Sequence, residues 1–142
     1  MKALTIWQPW ASLLAQGEKK YETRGWPTKY RGTIAIHAAL RDPKKLPLTP
    51  ELEQYALHND KIGSWSGLPT GAIIAIGELV NVWRIGAEGI SPTEQEIALG
   101  DWTPGRYAWE IKITELLEEP VPIRGKQGLW NWDEKRTGKK GD

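Results

Sequence analysis

Residues 7–37 run Trp7-Gln8-Pro9-Trp10-Ala11-Ser12-Leu13-Leu14-Ala15-Gln16-Gly17-Glu18-Lys19-Lys20-Tyr21-Glu22-Thr23-Arg24-Gly25-Trp26, and continue through Tyr30-Arg31-Gly32 to Ile34-Ala35-Ile36-His37. A short helix is expected first, with Pro9 at its opening position, where a missing N–H costs nothing, and Gly17 as its stop. Trp10, Leu13 and Leu14 fall on one face of it. A charged strand from Tyr21 to Trp26 follows, then a turn around 27–32 and an apolar strand from Thr33 to Ala38. Core-building alone does not call for Lys19, Glu22 and Arg24 so close to Trp7, Trp10 and Trp26. Charge beside flat aromatic surface suits a nucleobase or nucleotide.

Working outward, Ala3-Leu4-Thr5-Ile6 is expected to be a strand before the helix. The segment 41–47 is basic and broken by proline, hence a loop. Thr49-Pro50-Glu51 opens a second helix expected to reach about Asn59, with Leu52, Tyr55 and Ala56 inward. Trp65 stands in a Gly/Ser loop, where it is a candidate stacking lid or a ring folded over the core. Ala72 to Trp83 is apolar on both faces, as a central strand would be. Ser91-Pro92-Thr93-Glu94 is expected to cap a short helix ending near Gly100. Arg106 to Leu117 forms another strand, and 121–132 closes the domain with a turn and a short strand. The polar residues 133–142 are expected to be a disordered tail, leaving one domain over 1–132. The order β-α-β-β-α-β-α-β-β, with short helices and long strands, implies an α+β domain built on a curled sheet or small β-barrel.

The composition excludes several functions. The 142 residues contain no cysteine, so disulfides, thiolate metal sites and a cysteine nucleophile are absent. His37 and His58 lack the spacing of a metal motif, and no metal or cofactor is implied. No apolar run approaches the ~20 residues that cross a bilayer, and no signal-peptide pattern opens the chain. A cytoplasmic monomer without membrane contact is the expectation. Nine tryptophans and four tyrosines accompany no phenylalanine. Charge is unevenly spread: residues 1–45 hold nine Lys/Arg against three Asp/Glu, 46–123 hold four against twelve, and 124–142 hold six against three. If the two ends meet in space, they make a basic face on an acidic body.

Glu78 is the first candidate for chemistry, since it shares the even-numbered face of its strand with Ala72, Ile74, Ile76, Val80 and Val82. A buried carboxylate needs a cation or a cavity mouth; otherwise the sheet face reopens to water there. In the second candidate group, strand alternation puts Glu22 and Arg24 on one face with Lys20, whereas Lys19 joins them only from the turn after the helix. Arg31-Gly32 and Arg124-Gly125-Lys126 are weaker anion-binding candidates.

Gln8-Pro9-Trp10-Ala11-Ser12-Leu13-Leu14, then Gly17-x-Lys19-x-x-Glu22-x-Arg24, Arg31-Gly32 and Ile34-Ala35-Ile36-His37 resemble the ASCH (activating signal cointegrator 1 homology) domain family. Gly77-Glu78 and Gly125-Lys126-Gln127-Gly128-Leu129-Trp130 fit it too, so the resemblance covers about residues 3–132. It implies a PUA-like fold, a small barrel with flanking helices, and a cleft lined by Lys19, Glu22, Arg24 and Glu78. The implied ligand is RNA, DNA or a nucleotide or nucleoside. On this reading Lys19, Arg24, Arg31 and Lys126 contact phosphate, Trp10 or Trp26 stacks on a base, and Glu22 or Glu78 accepts from an exocyclic amine. Some members of the wider group are amidohydrolases acting on N4-acetylcytidine through a Lys, a Thr and a Glu. Lys19 and Glu78 match the first and last, while Glu22, with Thr23 beside it, occupies the threonine position. The alternative is therefore a small hydrolase with Lys19, Glu22 and Glu78 as its catalytic set.

Overall fold

The computed structural model describes residues 1–41, 49–57, 67–87 and 89–134. The elements are β1 (Lys2–Ile6), α1 (Trp10–Ala15), β2 (Tyr21–Arg24), β3 (Gly32–Ala38), α2 (Pro50–Leu57), β4 (Ala72–Arg84), α3 (Glu94–Ala98), β5 (Tyr107–Pro122) and β6 (Leu129–Asn131). The six strands form one sheet in the order β2-β5-β4-β3-β1-β6. Trp65, His58, the 42–47 part of the basic loop and residues 135–142 lie outside the described residues.

β4 occupies an interior place because its first six residues are buried on both faces. It pairs antiparallel with β3 on one side and with β5 on the other, and the β4–β5 register shifts near Ile73/Ala75, Ile76/Gly77 and Leu79/Asn81. Each irregularity adds local twist, and a sheet bent repeatedly along one strand pair curls. The outcome is a curled half-barrel with three short helices, an α+β, PUA-like architecture. Gly77 sits where the strands crowd: a Cβ there would lie 2.7 Å from the carbonyl oxygen of Lys112.

β1 lies between β3 and β6, parallel to the first and antiparallel to the second. Met1 and Trp132 bond each other through their backbones at 2.7 and 3.1 Å, so the two ends of the described chain do meet. α1 fills the concave side: Ala11, Leu14 and Ala15 pack with Leu4, Ile34, Ile36, Leu79, Trp109 and Ile111. Leu13, on its other flank, joins Leu52 of α2 and Leu99 after α3. Ala3, Ala35, Ile73, Ile76, Leu117, Trp130 and Trp132 form a separate apolar cluster.

Some boundaries differ from expectation. Pro9 is the N-cap of α1, not its first residue. Thr93, not Ser91, caps α3 by accepting from the Glu96 amide at 3.2 Å, because Thr93 and Glu96 have the Thr-x-x-Glu spacing. That helix ends at Ala98, and β5 runs on to Pro122, well past Leu117. Continued pairing with β4, as far as Ala72 opposite Pro122, sustains the extra length.

Candidate functional site

α1 ends in a turn with Gly17 at φ +80°, a conformation that glycine takes without strain. The amides of Glu18 and Lys19 both fold back on the Leu13 carbonyl, at 2.9 and 3.3 Å. This turn breaks strand alternation just before β2. Lys19 therefore points inward and is 3% exposed, while Lys20 faces solvent. The Lys20 amide is held by the Glu96 carboxylate at 2.6 Å.

Lys19, Glu22 and Arg24 converge. Lys19 Nζ donates to the Leu99 carbonyl at 3.0 Å and lies 3.9 Å from Glu22 Oε1. The other carboxylate oxygen of Glu22 accepts from Arg24 Nε at 2.9 Å, and Arg24 Nη2 donates to the Thr5 carbonyl at 2.7 Å. The three side chains line a cavity of about 320 Å³ with Thr5, Ile6, Trp7, Trp10, Thr23, Gly100, Asp101 and Arg106. That is the small end of the ligand-pocket range, about 300–1,000 Å³, and suits one nucleoside-sized group. Trp7 stands at 47% exposure with the Arg41 guanidinium 4.4 Å from its ring centre.

Burial drives the Lys19 pKa below its ordinary value, and the nearby Glu22 and Glu96 carboxylates only partly oppose this. Burial likewise pushes the Glu96 carboxyl up, against the pull of the Lys20 amide and the Lys19 charge. Asp101 is held below its usual range chiefly by the Thr103 hydroxyl. The lining carries Lys19, Arg24 and Arg106 against Glu22 and Asp101, a mixed surface with one surplus positive charge.

Other expected site residues stand elsewhere. Glu78 is exposed on β4, opposite Thr33 and Lys112, and does not line this cavity. The physical reason is the one weighed against burial: the sheet face reopens to water there, as the exposed Val80 two residues on confirms. Arg31 is exposed and tied to its own turn through the Thr28 and Tyr30 carbonyls, both at 2.8 Å. Trp26 leans edge-on against Trp109, with the Arg24 guanidinium 6.0 Å from its ring, so it flanks the cavity without lining it. Lys126 lines a different cavity.

Sequence reasoning misses Asp101, Arg106 and Glu96. For Asp101 and Arg106 the signal is the β2–β5 pairing, in which Arg24 is opposite Tyr107. That register forces the segment just before β5 over the end of β2. Arg106 then donates to the Thr23 carbonyl at 3.1 Å and pairs with Asp101 at 3.4 Å.

A curled α+β half-barrel with a charged cleft between the α1–β2 turn and the segment before β5 defines a protein of the PUA-like class. More narrowly, the ASCH domain model matches residues 4–122, and the chain belongs to the ASCH domain family. Activating signal cointegrator 1 from Homo sapiens and its counterpart from Mus musculus are each 26% identical to it over 133 residues. Those matches take in 93% of this chain but 22% of each relative, so the chain spans about a fifth of their length. Domains of this family generally bind nucleic acids.

Proposed function

We propose that the Lys19–Glu22–Arg24 cavity receives one unpaired base or nucleotide of a nucleic acid strand, RNA or another single strand in preference to duplex. The observation that carries this is the placement of a buried, hydrogen-bonded cation–carboxylate–cation set beside Trp7 and Trp10 in a nucleoside-sized hollow. A base has polar edges for the carboxylate and ammonium and a flat face for an indole. Arg24 and Arg106 supply phosphate contacts at the mouth. Base–aromatic stacking contributes about 1–3 kcal/mol per base, and phosphate contacts make affinity fall with salt.

The test is anisotropy with a panel of labelled single-stranded and duplex oligonucleotides at low salt. Wild type binds single strands, and Arg24→Ala weakens this binding at least tenfold. Absence of binding to every oligonucleotide, or binding unchanged by Arg24→Ala, removes the reading.

A second reading has one specific observation in its favour: the buried Lys19 ammonium lies 3.9 Å from the Glu22 carboxylate, and both line one cavity with Thr23. In it, water attacks the acetyl carbonyl of N4-acetylcytidine, the C–N bond breaks, and acetate and cytidine leave. Lys19 stabilises the oxyanion, and Glu22 takes the proton from water and passes it to the leaving amine. Glu78 has no part in this version because it is exposed outside the cavity. Release of cytidine from N4-acetylcytidine, lost in Glu22→Gln, is the expected result; no turnover by wild type overturns it.

A further inference from the structure

A second cavity, about 690 Å³, adjoins the first at Thr5, which lines both. On one side the Thr5 carbonyl accepts from Arg24. On the other, its hydroxyl is bonded to His37 Nδ1 at 3.1 Å and to the Trp130 indole N–H at 3.0 Å. His37 Nε2 lies 2.7 Å from the Ile123 carbonyl, which can only accept, so that nitrogen carries the proton. The Thr5 hydroxyl then donates to Nδ1 while accepting from Trp130. His37 is thus a fully bonded floor post that fastens the segment after β5 to β1 and β3.

This fastening is tight enough to require glycine. A Cβ at Gly125 would lie 2.5 Å from His37 Cε1 and 2.6 Å from the Thr5 hydroxyl oxygen. The backbone is held flat against the floor there, and its neighbours Arg124 and Lys126 stand exposed on the cavity lining. Among the described residues neither has a carboxylate partner, and no carboxylate lines this cavity. Apolar groups of Ala39, Leu40, Pro122 and Ile123 make up much of the rest. Leu40 leads directly to Arg41, whose guanidinium covers Trp7 of the first cavity. Cations therefore stand at both hollows: Arg24 lines the first, Arg124 and Lys126 line the second, and Arg41 covers Trp7 of the first.

The geometry points to the second cavity as a binding subsite for the nucleotides next in line on the same single strand, with Arg124 and Lys126 on the phosphates and the apolar floor under a base or sugar. This rests on the reading of the first cavity as a nucleotide site. Continuity through Thr5 and, among the described residues, a lining with cations and no carboxylate favour an anionic strand that runs on from the first cavity.

The experiment compares wild type with the double variant Arg124→Ala/Lys126→Ala, using a labelled mononucleotide and a single-stranded oligonucleotide of about eight residues, with a poly-glutamate peptide as control. Wild type should bind the longer strand more tightly. The double variant should bind the mononucleotide like wild type but lose about tenfold on the longer strand. Two fewer phosphate contacts should also flatten its log K against log salt slope by about 1.4. Both substitutions are at exposed positions, and an unchanged melting temperature verifies the fold. A longer strand bound equally well by both proteins overturns the subsite and leaves the first cavity standing. Loss of peptide binding with strand binding intact assigns the second cavity to an acidic protein partner and also overturns it. If wild type binds neither the mononucleotide nor the strand, both readings fall together.

Discussion

Replacing Lys19 by methionine separates a group kept for binding from one kept for folding. Lys19 is only 3% exposed, and its ammonium reaches an acceptor at hydrogen-bond distance, the Leu99 carbonyl. Glu22, at 3.9 Å, attracts it with about 4 kcal/mol at an effective dielectric near 20, and taking the ammonium out of water costs several kcal/mol. Burial lowers the Lys19 pKa more than the two carboxylates raise it, which is the direction of a site that disfavours the charged form. Methionine fills nearly the same volume without charge and leaves Glu22 still bonded to Arg24. Stranding the Leu99 carbonyl takes back about 1–3 kcal/mol of the gain. Lys19→Met is therefore expected to be as stable as wild type or up to roughly 2 kcal/mol more stable, while nucleotide binding collapses. The pH dependence follows the same sign. With the folded pKa below the ordinary 10.5, the unfolded chain holds more protons between the two values, so wild-type stability rises with pH in that window. The variant lacks this rise. Urea unfolding between pH 7 and 10, beside oligonucleotide anisotropy, measures both. A loss of more than about 2 kcal/mol at pH 7 would refute the reasoning, because it would make the buried ammonium a net support of the fold.

Three further outcomes follow from particular contacts. Gly77→Ala puts a methyl 2.7 Å from the Lys112 carbonyl oxygen and 3.3 Å from the Ile113 Cα, both backbone atoms, and should lower stability by about 1–3 kcal/mol in denaturant titration. Burial holds the His37 pKa below 6.5, so the unfolded chain takes up the proton first and stability falls as pH drops through the window beneath 6.5. Melting curves from pH 7 to 5 should flatten in His37→Gln; an equally steep decline there counts against this account. Trp7→Ala, at an exposed ring on the cavity wall, should cost about 1–3 kcal/mol of strand affinity with little change in melting temperature, whereas Trp26→Ala, packed on Trp109, should affect melting more than binding.

Much of the fold is legible along the chain because its signals are local. The Pro9 and Gly17 punctuation brackets α1, and the doubly apolar run after Gly71 marks an interior strand. The Lys19–Glu22–Arg24 set is legible through the family motif, although alternation by itself favours Lys20; the Gly17 turn resets the phase. Glu78 stands apart from the cavity because strand alternation says which residues share a face but not how far along the strand that face stays covered. Arg31 also stands apart, with donors spent on the carbonyls of its own turn. Asp101, Arg106 and the Thr5 partition between two cavities depend on which strands become neighbours. Pairing β2 with β5, and β1 with both β3 and β6, is a long-range event that no local window contains. Of the nine tryptophans, Trp83, Trp102, Trp109 and Trp130 place their indole N–H on protein acceptors, so these four serve the architecture.

Indole N–H resonances offer the most direct view of the cavity, because Trp7 and Trp10 line it and Trp83 sits at the far end of β4 on Glu110. On titration with a short single-stranded RNA, the Trp7 and Trp10 signals should move in a saturable way while the Trp83 signal stays in place. Motionless Trp7 and Trp10 signals, with shifts gathered instead around Glu78 and Val80 on the outer sheet face or nowhere at all, would contradict the assignment of this hollow to nucleic acid.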